Sequence, residues 1–173
     1  RRSSDLALRP EKNLGRLVRL FATIANNDTT TRLLIIGDGP LRASLEQIAR
    51  ETPVADRITF AGATARPEDF LEKMDIFALS SDTEQMPLSV LEAMSSALPV
   101  VSFDVGDVKN MVAGVNQPFA AIPRNDDNGY IDALRALLSS KDLRLDIGQE
   151  NRRTANARFN HALMVDRYAN LFG

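Results

Sequence analysis

Short apolar runs alternate along this chain with longer stretches of helical periodicity, and this alternation limits the possible folds more than any single motif does. Runs at 32–36, 58–61, 76–79 and 99–103 are mostly apolar on consecutive residues rather than every second one, as expected of strands covered on both faces. Two further runs, at 5–8 and 119–122, complete the set of candidate strands. Helical patterns fall between and after them at 12–26, 40–51, 67–73, 87–97, 107–113, 127–139, 141–157 and 160–172. In the first of these, Leu14, Leu17, Val18, Leu20, Phe21 and Ile24 share one face, so that helix is expected to pack on the sheet. The expected fold class is α/β: one domain over 1–173, in three α/β/α layers around a parallel sheet of about six strands. In open sheets of this kind ligands gather at the carboxyl ends of the strands, which is where Lys12, Gly37, Gly39, Gly62, Glu84 and Gly106 fall.

Composition removes several function classes. With 173 residues, 44% of them hydrophobic, the chain is long enough to bury one substantial core. Its net charge of −2, with no Trp and two Tyr, offers neither the basic footprint nor the stacking platform of a nucleic-acid binder. No cysteine is present, which rules out disulfides and thiolate metal sites and suits a reducing, cytoplasmic setting. The single histidine, His161, stands at the expected start of the last helix, in a capping or exposed position rather than a catalytic one. No metal site is expected, because Asp126 and Asp127 lack convergent partners. No apolar run approaches the ~20 residues of a membrane span. The chain opens on Arg1 rather than Met and is expected to be a piece of a longer polypeptide.

The chemistry concentrates in Glu84-Gln-Met-Pro-Leu-Ser-Val-Leu-Glu92, two carboxylates eight positions apart around a strand-to-helix turn. Pro87 is expected as the first residue of the helix, leaving the amides of residues 85 to 88 at the positive end of its dipole, a setting for phosphate. Glu92 falls about one and a half turns into that helix, where a carboxylate is able to accept two hydrogen bonds from a vicinal diol such as a ribose. Because the surrounding stretch is too apolar for a solvated face, Glu92 needs a partner, either a ligand or a donor from the protein. Gly37-Asp-Gly39-Pro40 reads as a tight turn feeding a helix, with a ligand role for Gly39 left open. It lacks the third glycine of a dinucleotide fingerprint.

Taken in order, Arg9-Pro-Glu-Lys12-Asn13, Leu34-Ile-Ile-Gly-Asp-Gly-Pro40, Ile58-Thr-Phe-Ala-Gly62, Asp75-Ile-Phe-Ala-Leu-Ser-Ser81, Glu84 to Glu92 and Leu98-Pro-Val-Val101 resemble the C-terminal donor domain of retaining GT-B glycosyltransferases of family 4. The resemblance implies a Rossmann-like domain that binds a UDP-, GDP- or ADP-sugar, without metal or further cofactor, for transfer to an acceptor hydroxyl with retention of configuration. It implies that Lys12 contacts the diphosphate, Glu84 holds hydroxyls of the transferred sugar and Glu92 holds the ribose. The backbone of Gln85, Met86 and Leu88 would approach sugar and phosphate, and the base would lie near Gly62. It further implies that 160–172 crosses back toward an N-terminal domain, which supplies the acceptor glycan, lipid or small molecule. The fragment alone would then bind without turning over, as part of a hexosyltransferase of polysaccharide or glycoconjugate biosynthesis, cytoplasmic or peripheral to the inner face of a membrane.

Departures accompany the match. The Gly-Arg pair that commonly precedes the lysine motif reads Leu6-Ala7 here, so one expected phosphate cation is absent; Arg9, on the same face of an extended segment as position 7, is the candidate substitute. Gln85-Met86, Ala97 and Asn110 stand where the family commonly has a glycine-containing pair, a glycine and a glutamate. Two alternatives therefore stay open: a noncatalytic transferase-like scaffold or partner domain, and a GT-B epimerase or hydrolase of nucleotide sugars.

Overall fold

The computed structural model describes residues 7–26 and 28–159. The expected last helix at 160–172, with His161, and most of the expected first strand lie outside the described residues.

Four apolar runs form strands. β1 (Leu33–Ile36) pairs in parallel with β2 (Ile58–Gly62), from Leu33 opposite Ile58 to Ile36 opposite Gly62, with a register shift between Ile35 and Ile36. β3 (Phe77–Leu79) pairs in parallel with β4 (Val100–Ser102), Phe77 opposite Val100. The parallel α/β character expected from the runs is present, and of the expected sheet of about six strands the described residues show four, most of the first expected strand lying outside them. The described residues form two separate two-stranded sheets. Residues of β1 and β3, with Ala7 and Leu8, line a cavity of about 650 Å³. Among the described residues of the first and last candidate strands, lone parallel bridges occur, Ala7 to Asp38 and Phe103 to Ile122. The run at 119–122 fails as a strand because a helix, Gln117–Ala120, takes its first half. Pro118 lies in that helix's first turn, where its fixed φ and missing N–H are tolerated.

The helices are α1 (Leu14–Ala25), α2 (Arg42–Arg50), α3 (Glu68–Leu71), α4 (Leu88–Ser95), α5 (Val108–Met111), α6 (Gln117–Ala120), α7 (Asp127–Ser139) and α8 (Lys141–Arg158). Side-chain caps start the last two: Asp126 accepts from the Gly129 amide at 2.8 Å and Ser140 from the Leu143 amide at 3.2 Å.

Two apolar cores result, and α1 serves both. Leu17, Leu20 and Ile24 join the larger core around β3 and β4, while Val18, Phe21 and Ala25 join the smaller one around β1 and β2. Each trio has spacing i, i+3, i+7, so the apolar face read from the sequence is two adjacent stripes of one helix. The larger core is threaded with polar groups. Fully buried Asn116 donates to the Val100 carbonyl (2.7 Å) and accepts from the Val100 amide (2.9 Å) and from Asn151 Nδ2 (2.6 Å). Asn151 in turn accepts from the Ala113 amide and donates to the Leu98 carbonyl. The Tyr130 hydroxyl donates toward the Leu79 and Val101 carbonyls at 3.2 and 3.4 Å, and burial pushes its phenol pKa up. Its ring stacks on Phe103 at 4.5 Å between centroids, and the Arg16 guanidinium covers Phe103 at 3.7 Å.

Candidate functional site

The helical pattern expected from residue 12 begins differently. A 3-10 turn, Pro10–Lys12, ends at Asn13, whose φ of 44° breaks the path before α1 starts at Leu14. Asparagine tolerates this left-handed backbone better than most residues. The break is fixed from across the chain. Asn13 Nδ2 donates to both Asp82 oxygens at 2.9 and 3.1 Å, and the Asp82 amide donates to the Glu11 carbonyl at 2.9 Å. Ser80 Oγ lies 2.9 Å from the Lys12 carbonyl and 3.2 Å from that of Asn13.

This stitching brings together the two residues that the motifs single out. Lys12 Nζ donates to Glu84 Oε1 at 3.0 Å, and the two side chains retain only 12% and 11% of their exposure. Ser81 Oγ donates to the same carboxylate oxygen at 2.7 Å. A cation and a carboxylate this shielded attract through a lower effective dielectric than a surface pair does. The added hydroxyl helps to offset the carboxylate's desolvation.

The Glu84 loop is held from its other side by Gly106. At φ 50°, this glycine lies so near the chain that a Cβ on it would stand 2.5 Å from the Glu84 carbonyl oxygen and closer still to that of Gln85. The Asp107 amide donates to the Gln85 carbonyl at 2.8 Å. Any side chain here would push the loop away.

Beyond Glu84, Pro87 is the N-cap residue in extended conformation (φ −70°, ψ 120°), and α4 begins one residue later than expected, at Leu88. Of residues 85 to 88, only Leu88 then lies in the first turn of the helix, and Pro87 has no N–H to offer. Met86 and Leu88 are about half exposed, at 47% and 49%, and Gln85 is exposed beside them. Glu92 lines the 650 Å³ cavity together with Lys12 and Ser89. It also lines a groove of about 310 Å³ with Pro67, Leu71, Leu88, Leu91 and Ser95.

The remaining candidates are less closely tied to this pair. Gly62 has φ 80°, its carbonyl accepts from the Gly37 amide at 2.8 Å, and its Cα faces the Arg42 guanidinium. Gly39 packs on the Leu8 backbone so tightly that a Cβ would stand 2.9 Å from Leu8 N and O, which gives this glycine a packing reason of its own. Arg9 is exposed and loosely paired with Glu11 at 3.9 Å. Sequence reading missed Asn13, Ser80, Ser81 and Asp82. The available signal was the pair of hydroxyls ending an apolar strand, where polar side chains need a specific acceptor.

The chain matches the family described as Glycosyl transferases group 1 over residues 4–140. It belongs to that family. Among glycosyl transferases of known name, N-acetyl-alpha-D-glucosaminyl L-malate synthase of Bacillus anthracis is 25% identical over 164 residues, covering 95% of this chain and 42% of that protein. The chain thus spans less than half the length of this curated relative. Among solved structures, the C-terminal domain of the group 1 glycosyl transferase LpcC from Francisella tularensis superimposes with a TM-score of 0.78 at 20% identity, covering 90% of this chain and 83% of that one. Anabaena HepE in complex with UDP superimposes with a TM-score of 0.85 at 19% identity, covering 96% and 46%. The resemblance read from the motifs is borne out, and the fold is that of the C-terminal domain of such transferases. Among the described residues no helix is long and apolar enough to cross a membrane.

Proposed function

We propose that this chain is the donor-binding domain, a single unit over 1–173, of a longer retaining GT-B glycosyltransferase that uses a nucleotide-diphosphate sugar. The observation that carries the reading is the 3.0 Å contact between Lys12 and Glu84, 72 positions apart in the chain. It puts the cation suited to a diphosphate beside the carboxylate suited to sugar hydroxyls.

In the proposed complex the Lys12 ammonium turns to the diphosphate and stabilises the charge that develops as the bond to the sugar breaks, without requiring a metal. Glu84 accepts hydroxyls of the transferred sugar. Glu92 accepts the ribose diol, with the base extending into the groove beside Pro67 and Leu71, toward the loop after Gly62. The amides of Gln85, Met86 and Leu88 approach sugar and phosphate. Arg9, freed from its long contact with Glu11, supplies the second phosphate cation in place of the family arginine. Gly39 keeps its packing role at the cleft. The acceptor hydroxyl comes from an N-terminal domain closing over this face, so this domain alone binds donor without transfer. The complexes of HepE with UDP and with UDP-glucose support a uridine nucleotide as the first donor to try.

Calorimetric titration with UDP, GDP, ADP and their sugar conjugates in EDTA tests the reading, beside Lys12→Ala, Glu92→Ala and Arg9→Ala. Selective binding of one nucleotide, weakened at least about tenfold by either of the first two substitutions, is expected. Absence of binding by folded protein at millimolar ligand would favour a noncatalytic scaffold, the alternative to which the missing arginine already points.

A further inference from the structure

We infer that Ser81 is a positioning residue that sets which oxygen of Glu84 meets the sugar, an inference that rests on the donor-site reading above. Ser81 is 1% exposed, and its hydroxyl reaches the Glu84 carboxylate at 2.7 Å. The Lys12 ammonium takes the same oxygen, Oε1, at 3.0 Å. Both bonds that the described residues make to this carboxylate therefore converge on one atom. No buried side-chain nitrogen or oxygen among the described residues lacks a partner, so Oε2 is not sealed away unsatisfied. It is the oxygen presented to a ligand.

Two donors on one oxygen fix more than position. A carboxylate held only by a flexible ammonium rotates about its last bond and offers either oxygen. A second, short bond from a buried hydroxyl on a strand end removes that freedom before ligand arrives. Ser81 is itself well fixed, because Ser80 and Asp82 on either side are bonded to the backbone of residues 11–13. Lys12 is expected to leave Oε1 for the diphosphate when donor binds, and Ser81 is then the donor left to keep the carboxylate oriented toward the sugar. The hold matters for a ligand that carries the sugar and not for the bare nucleotide.

The test compares UDP with UDP-glucose, or whichever nucleotide and conjugate the first titration selects, on the 173-residue chain. Ser81→Ala is expected to weaken the conjugate about tenfold while leaving the bare nucleotide within about twofold. Ser81→Thr, which keeps the hydroxyl, is expected to restore most of the loss. If the alanine variant does not fold, Ser81→Cys, near-isosteric with a much weaker donor, is read in the same way. Unchanged conjugate affinity in the alanine or cysteine variant would overturn the assignment, as would equal loss for nucleotide and conjugate. If the wild-type chain binds neither ligand, the donor-site reading fails, and a double-mutant cycle still reads the grip itself. Ser81→Ala and Glu84→Gln are then expected to be non-additive in urea unfolding by at least about fivefold in the unfolding constant, and additivity would refute the positioning role.

Discussion

The two cores that share α1 are built on different terms. The smaller, around β1 and β2, is filled with aliphatic side chains and Phe21, and its tightest constraint is backbone on backbone, Gly39 against Leu8. The larger, around β3 and β4, lies in the part of the chain that holds all the buried polar residues described: Ser80, Ser81, Ser102, Asn116 and Asn151. Aliphatic packing tolerates small shifts of one side chain past another, whereas a buried amide with each group paired accepts only one arrangement. The Glu84 loop grows from the second kind of core. A site that must hold a carboxylate in a fixed orientation is thus carried on the half whose register is set by hydrogen bonds.

Paired substitutions break this contrast most directly. Asn116→Ala strands the Val100 amide and carbonyl and one end of Asn151, and should cost about 4 kcal/mol in urea unfolding. Phe21→Leu should cost about 1.5 kcal/mol by loss of packing alone and leave nucleotide affinity unaltered. Equal effects from the two would refute the distinction between the cores.

A gain is expected at one position of the larger half. Ala97, where the family commonly has glycine, holds φ 57°, so Ala97→Gly should stabilise by about 1 kcal/mol, read as a raised urea midpoint with unchanged slope. Its carbonyl presses on Gly148, where no Cβ would fit, so the gain depends on the backbone staying in place.

The smallest effect lies at the entry to β1. Asp28 accepts from the Thr31 hydroxyl and from the hydroxyl and amide of Thr30, and these bonds hold its carboxyl down at about 2 rather than 3.8. A depressed folded-state pKa adds stability that is fully present above the unfolded value near 4 and is lost as pH falls from there toward 2. Unfolding followed from pH 6 to pH 2 should show the wild-type advantage over Asp28→Asn shrinking through that window. A constant difference would contradict it.

Much of this was legible from residues. The four strands follow from apolar runs long enough to be covered on both faces, and Glu92 stood out because a carboxylate in an apolar stretch needs a partner, while Glu84 stood out by its spacing from Glu92, and Lys12 through the family resemblance. Ala97 was marked by its departure from glycine, and its positive φ is the physical reason. The run at 119–122 misled because apolar content alone does not separate a strand from a short buried helix, and Pro118 decided for helix. The role of Ser81 was missed for a different reason. Its acceptor is three positions ahead, but its importance comes from Lys12, whose placement depends on the fold. The clamp of Gly106 on the Glu84 and Gln85 carbonyls is equally non-local.

The separation of Lys12 from Glu84 also has a temporal meaning. At about 5–20 residues per second, a ribosome needs roughly 4–15 s to deliver the 72 positions between them. During that interval the growing chain acquires β1, α2 and β2, which can seat one stripe of α1, but nothing to hold the lysine. The asparagines that fix β4 follow later still, the second at position 151. Nucleotide present during synthesis would therefore find no half-built pocket to rescue, and ligand would act only on chains that have already completed their long-range pairing.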